Sequence, residues 1–395
     1  MTAEPVIQEI WRLLQARREE MREHRRWLHQ HAEISFQETE TSRYIYEFYK
    51  KRNMPVKRQA HGNGMWVTIG GKNPGKHVAL RADFDALPIQ EETGLSFACT
   101  TGAMHACGHD AHTAYLMILA GCLWDTRERW NGTVRILYQP AEEMPPGGAR
   151  AMIVDGALQG IDHVLGCHVM NQLEFGGVFY HCGATQQARA KFTIQIQGKG
   201  GHGSSPHEAN DAIVIAGHLV IALQTMVSRR ISPMESGVVT IGSFDGKGEF
   251  NSIKDRVILE GDVRCMAEST RKKIEEIKRI AFGTARTYGC DITVQYQNDY
   301  PVLWNDPSLT KRVVREWKKA GIAPVTDCGP LNPSEDFSYY SQQVPSCFFY
   351  IGAQPAGKAY PHHHPKFDIR EEAMMKAARA MTGATLTCLA EKEMR

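Results

Sequence analysis

Apolar residues recur at roughly helical spacing from Glu4 to about Gln30, where Ile7, Ile10, Trp11, Leu14, Met21, Trp27 and Leu28 share a stripe. A second amphipathic segment, "ETSRYIYEFYKKR", follows it. The pattern then changes to short apolar runs that predict strands, "GMWVTIG", "HVALRADFDAL", "GTVRILYQP" and "DHVLGCHV". Helical patterns, "HTAYLMILAGCLWD" and "GARAMIVDGAL", separate them. Strands alternating with helices predict an α/β layer built on a mainly parallel sheet with helices on both faces.

Near Gln187 the period becomes two. In "AKFTIQIQG", Phe192, Ile194 and Ile196 fall on one face, with Lys191, Thr193, Gln195 and Gln197 on the other. Such alternation marks a strand with one wet face. The apolar helix "DAIVIAGHLVIALQTMVSRR", the strands "GVVTIGSF" and "DRVILEGDVRC", the charged helix "STRKKIEEIKRIAFGTAR" and the strand "CDITVQYQ" complete the block. That order, βαββαβ, is the ferredoxin-like split unit. Beyond it the chain returns to helix ("DPSLTKRVVREWKKAG"), strand ("SCFFYIGA") and a closing helix from Glu371. The expected organisation is a discontinuous catalytic domain, residues 1–186 and 300–395, interrupted by an α+β satellite at 187–299.

Composition narrows the function classes. Of 395 residues, 42% are apolar, enough for a large core, and a net charge of +2 with interspersed signs gives no footprint for nucleic acid. No uninterrupted run of 18 apolar residues occurs, so no membrane span is expected. "MTAEPVIQEI" lacks a signal-peptide pattern. The ten cysteines are scattered without CxxC pairs, which fits a reducing, cytoplasmic setting.

Four stretches of the expected catalytic part could carry chemistry. In "MHACGHDAH", Cys107 and His109 stand two apart in a glycine-containing turn before a helix, and thiolate and imidazole suit a borderline metal such as zinc. In "QPAEEMPPGGA", Glu142 and Glu143 follow an apolar strand, where α/β folds place ligands. Adjacent side chains diverge, so one can bind a metal while its neighbour faces substrate. His168 ends another apolar strand. Last, "AYPHHHPKFD" sets three histidines between prolines, and Pro365 biases His364 toward extended geometry. Alternation would then point His363 one way and His362 with His364 the other. Each stretch alone has a bland reading: a helix start, an acidic loop, a core histidine, a solvated loop. Together, Cys107, His109, Glu143, His168 and one of the three histidines exceed the four ligands of a closed structural zinc site. Glu142 is then left over, which suits two metals sharing a bridging hydroxide. In the satellite, "GKGGHGSSPH" places His202 at a tight glycine turn, without the glycine spacing of a phosphate loop.

These segments, with "RADFDALPI", "FNSIKD", "GDVR" and "SEDFSYY", resemble the metal-dependent aminoacylase/carboxypeptidase family. Within it they are most similar to the branch of N-acyl-amino-acid amidohydrolases, hippurate hydrolases and auxin-conjugate hydrolases. The resemblance runs almost the whole chain, and "HACGHDAHT" with "QPAEE" is its most specific part. It implies that Cys107, His109, Glu143, His168 and His363 ligate two divalent cations (zinc, manganese, cobalt or nickel), His363 because the family's C-terminal ligand lies two residues before a proline. It implies that Glu142 is the general base and that His202 is lent across the interface of a homodimer, or higher homo-oligomer, built through the satellite. Asn251 and Arg264 match positions linked to the substrate carboxylate. The implied activity is hydrolysis of a small-molecule N-acyl amino acid, with a dipeptidase or carboxypeptidase on the same site as the alternative and a non-catalytic metal-binding scaffold more remote. One departure is visible: "DFD", Asp83 to Asp85, stands where much of the wider family has an H-x-D ligand motif.

Overall fold

The computed structural model describes residues 4–322 and 324–390. The chain divides into two units. The first runs to Thr185 and resumes over Trp304–Pro330 and from Asp336 onward, while the second holds Gln186–Leu303 and Leu331–Glu335. The short return Leu331–Glu335, assigned to the catalytic part by sequence, lies with the second unit because its backbone docks there: Gln187 donates to the Pro333 carbonyl, and Gln186 bridges to Leu331.

In the first unit, eight strands form one sheet. Their spatial order is Val56–Arg58, Met65–Gly70, Thr133–Gln139, His77–Asp83, His163–Met170, Ser346–Gly352, Val178–Tyr180 and Val325–Asp327. The four central strands are mutually parallel, and the antiparallel pairs lie toward the edges. Burial explains the choice. Ser346–Gly352 is buried at every position and His163–Met170 at all but its last, as parallel strands covered on both faces must be. Strand His77–Asp83 has Thr133–Gln139 on one side and His163–Met170 on the other, so the chain reverses its direction of winding there. Ligand crevices in open α/β sheets form at the carboxyl ends of strands around such a point.

The helices follow their predicted positions with altered ends. The first helical stretch is two helices, Glu4–Ala16 and Arg18–Gln30, broken at Arg17, whose φ of −106° and ψ of 16° lie outside the helical range. Helix His109–Asp125 is apolar all round and almost wholly buried, as a helix sandwiched between other elements has to be.

The second unit has a four-stranded antiparallel sheet in the order Gly237–Asp245, Arg256–Cys265, Ala188–Gln197, Asp291–Tyr300. With helix Ala212–Thr225 after the first strand and helices Glu268–Ile274 and Ile277–Tyr288 before the last, this is the βαββαβ arrangement. Phe192, Ile194 and Ile196 are fully buried, as their alternation predicts. Over Ala212–Arg230 the chain is long and apolar enough to qualify as a membrane span by composition, with a mean hydropathy of 1.5, which the run-length criterion does not detect. One face of this helix, with Ala212, Ile215, Ala216, Leu219 and Leu223, is buried. Its other face is open, with Ile213, Val214 and Ile221 exposed.

Candidate metal centre

All four central strands of the first sheet deliver candidate residues from their carboxyl ends. Strand His77–Asp83 leads into Asp85, Thr133–Gln139 into Glu142 and Glu143, and His163–Met170 carries His168; the chain beyond Ser346–Gly352 reaches the three histidines. The loop before helix His109–Asp125 supplies Cys107, and Gly108, with φ +86°, turns the chain into that helix.

Donor atoms of Cys107, His109 and His168 lie within 4.8 Å of one another, as do those of Cys107, Glu143 and His363, and those of His109, Glu142 and Glu143. The Cys107 Sγ is 3.4 Å from His168 Nε2, and His363 Nε2 is 3.3 Å from Glu143 Oε2. The first unit therefore brings together Cys107, His109, Glu142, Glu143, His168 and His363.

The surroundings fix how each group presents itself. His109 directs Nδ1 to the Asp85 carbonyl at 3.0 Å and to its carboxylate at 3.2 Å, which leaves Nε2 facing the cluster. Burial opposes a charge on this ring, yet the carboxylates of Asp83 and Asp85 outweigh it and push His109 up to about 10; the site calls for positive charge here. His168 gives Nδ1 to the Val169 carbonyl at 2.7 Å and turns Nε2 to Cys107. Burial, with His112 and His362 nearby, keeps it neutral, well below the usual imidazole range. Burial first, then the carboxylates of Glu143, Glu142 and Asp83, raises the Cys107 thiol well above its ordinary value.

The donor set fits divalent cations. His109 Nε2, Glu143 Oε1 and His362 Nε2 are buried without a hydrogen-bond partner, an arrangement that costs stability unless another group satisfies those atoms. A cation would satisfy them and would lower the thiol by its own charge.

The histidine run differs from its expected geometry. It forms a turn, with His363 in the left-handed region at φ +65°, so strict alternation does not apply. The turn is docked by His363 N–H on the Ala106 carbonyl at 2.9 Å. His364 points away, stacking on Tyr360 and accepting from Lys366 N–H. His362 does not point away: it is half-buried, with Nδ1 3.6 Å from Cys107 Sγ and its ring 5.5 Å from that of His168. Burial and neighbouring imidazoles push it down to about 3.

Sequence reasoning missed a charged layer beneath the cluster. The Asp83 carboxylate takes hydrogen bonds from Arg81 and from His112 Nδ1, both at 2.6 Å. His112 Nε2 in turn accepts Val169 N–H at 2.9 Å. Both ring nitrogens are thus used, so His112 braces the strand carrying His168 rather than offering a lone pair. Arg81 reaches Asp336 at 2.8 Å. An arginine inside the apolar run "HVALRADFD" is the signal that could have revealed this layer, because a buried guanidinium demands carboxylates.

In the second unit, His202 sits at an exposed turn whose short strand pairs Gly201–His202 with Ser252–Ile253. Asn251 is its neighbour, accepting Gly203 N–H on its carbonyl at 2.8 Å. Ser204 donates N–H and hydroxyl to His202 Nδ1, leaving the ring proton on the outward Nε2. Arg264 lies elsewhere on the sheet, held by Asp262 at 2.7 Å and by Ser334 Oγ at 3.2 Å.

Residues 79–387 match the model of the peptidase family M20/M25/M40. The chain belongs to that family. It is an M20-type hydrolase of amide bonds, and it is similar over its length to relatives with known structures. A protein of methicillin-resistant Staphylococcus aureus, provisionally described as an aminohydrolase, superposes with a TM-score of 0.93 at 52% identity, covering 97% of this chain and 99% of that one. The Bacillus subtilis YXEP protein, described as a dinuclear metal binding peptidase, superposes at 0.84 with 30% identity over 96% and 99% of the two chains. The N-acetyl-L-cysteine deacetylase of Bacillus subtilis is 37% identical over 356 residues, 90% of this chain and 84% of that protein.

Proposed function

We propose that this M20 enzyme removes the acyl group from N-acyl amino acids, with Glu142 as general base beside a pair of divalent cations. The observation that carries the reading is the placement of a second, adjacent carboxylate: Glu142 lies buried within 4.8 Å of His109 and Glu143 donor atoms, beyond what ligation by Cys107, His109, Glu143, His168 and His363 requires. The resemblance to an N-acetyl-amino-acid deacetylase supports the substrate class. Cations bound there would polarise the scissile carbonyl and lower the pKa of water. Glu142 takes the proton from the attacking water and returns it to the amine as the C–N bond breaks. His202 Nε2–H donates to the developing oxyanion, and Arg264 grips the free α-carboxylate.

The placement of His202 and Arg264 toward opposite ends of the second unit's sheet supports a site completed by two copies. Arg256 pairs with Gln197 at the end of the sheet where His202 lies, while Arg264 pairs with Arg189 at the other end. Eight residues of strand span about 27 Å. The reading is a homodimer in which each protomer lends His202 to its partner's site. The open face of helix Ala212–Thr225, where Ile221 is 70% exposed, and the edge strand Gly237–Asp245, with Val238 and Phe244 exposed, are apolar enough for such a partner.

The enzyme loaded in turn with zinc, manganese, cobalt or nickel is expected to cleave members of an N-acyl amino acid panel, and Glu142→Ala to keep its metal while losing most turnover. Wild-type turnover in that variant removes the base assignment. A loaded enzyme that cleaves only dipeptides or C-terminal peptide bonds favours the peptidase reading, which the family's name also covers. Co-expressed Glu142→Ala and His202→Ala chains should recover activity that neither variant has alone; no recovery refutes the exchange of His202.

A further inference from the structure

The Ala141–Glu143 segment is held in a conformation that its own sequence disfavours. Ala141 has φ +54°, one of four non-glycine residues in the left-handed region among the described residues; a Cβ makes that region costly. Phe36 is another, with φ +68°. The same carboxylate oxygen serves both. Glu38 Oε1 accepts Phe36 N–H at 2.9 Å and Ala141 N–H at 2.8 Å, and its Oε2 accepts from Asn63 Nδ2 at 3.0 Å. Glu38 is fully buried, 103 positions from Ala141 in the chain. The far side of the segment is held from the same place: Asp85 Oδ2 accepts Glu143 N–H at 3.0 Å and the hydroxyl of Ser35 at 2.7 Å. Glu142 stands between the two anchored amides.

We propose that Glu38 is a positioning residue for the reaction: by accepting the Ala141 amide it holds the left-handed turn that aims Glu142 beside the metal centre, while Asp85 separately anchors Glu143. The inference rests on the reading of Glu142 as the base. Glu38 is not among the grouped donors of the centre; it acts through the backbone of Ala141. Burial first, then the nearby Asp85, pushes its carboxyl up to about 7, while the hydrogen bonds from Asn63 and the Phe36 amide act in the opposite direction. A backbone conformation of this kind persists only where the surroundings enforce it, and such places cluster at active sites.

The test compares Glu38→Ala with Glu38→Ala/Ala141→Gly, in holoenzyme loaded with one metal. Misplacement of a reacting group by about 1 Å costs on the order of a hundredfold in rate. Glu38→Ala is expected to lower kcat by about ten- to a hundredfold, with KM and metal content within about twofold of wild type. Glycine adopts the left-handed region without a Cβ penalty, so Ala141→Gly in that background should restore several-fold of the lost kcat. Wild-type kcat in Glu38→Ala overturns the proposal. So does a loss of kcat that the glycine does not relieve. If Glu38→Ala fails to fold, Glu38→Gln, which keeps one acceptor oxygen, replaces it with a smaller expected loss and the same rescue. Hydrogen exchange at the Ala141 amide gives a readout independent of substrate: faster exchange in Glu38→Ala supports the latch even if wild type cleaves no N-acyl amino acid, and unchanged exchange overturns it.

Discussion

Two neighbouring imidazoles with opposite surroundings show how much a single residue's setting decides. His363 reaches Glu143 at 3.3 Å, whereas His364 stacks on Tyr360 and accepts a backbone N–H. Replacing His363 with alanine is therefore expected to lower bound metal well below that of His364→Ala, which should stay near wild type by elemental analysis; equal metal in the two would show that His363 is not a donor. The choice of His363 rests on the family's spacing to the proline, and the geometry of the run was not legible. Pro365 argued for an extended run, and the chain instead turns at His363 because its N–H docks on Ala106. His362 was invisible as a participant for the same reason, since alternation sent it outward. Glu38 offered no signal at all: a glutamate in "SFQET" reads as helix-start chemistry, and only the fold brings it to Ala141.

Among the elements, helix Arg18–Gln30 is tied to the start of helix His109–Asp125 by buried charge. His29 contacts Asp110 at 2.9 Å and Glu91 at 3.1 Å, and Arg25 reaches Asp110 and Asp368. Burial works against a charged His29, but hydrogen bonds to Asp110 and Glu91 prevail and push it up to about 9. A folded-state pKa above the unfolded value near 6.5 means that the contribution is complete below about pH 6.5 and is lost as pH rises through about 9. Urea unfolding should show a decline on the order of 2–3 kcal/mol across that window, and His29→Gln should flatten it; an identical decline in the variant would assign it to other groups. Period explains which elements were readable. The strict alternation of "AKFTIQIQ" and the helical stripe of "DPSLTKRVVREWKK" predicted their elements within a few residues. The break at Arg17 left no mark, because the apolar stripe continues on both sides of it.

At the scale of the molecule, the candidate centre is an assembly of loops that local sequence could propose only jointly. Each of the four stretches had an ordinary reading, and it was the joint count of their donors, rather than periodicity, that joined them; the Arg81–Asp83–His112 layer beneath stayed hidden because His112 and Asp336 are distant in the chain from Arg81 and Asp83. Buried polar atoms without a hydrogen-bond partner on His109, Glu143 and His362 predict that the folded state depends on cations. Chelator dialysis should lower Tm by several degrees, and readdition of one divalent metal should restore it; a Tm indifferent to chelation would mean that the four stretches are held by protein contacts alone. The insertion of Gln186–Leu303 into the first unit has a consequence for synthesis. Strand His163–Met170 emerges from the ribosome with one parallel neighbour already made, while the other, Ser346–Gly352, is still to be translated. The inserted unit has all four of its sheet strands in one continuous stretch and can close first, whereas the sheet bearing the chemistry waits with an open apolar edge until Ser346–Gly352 has been made. A nascent chain halted shortly before Ser346 would thus carry a finished satellite beside an unfinished catalytic sheet, the form of this protein most in need of a chaperone.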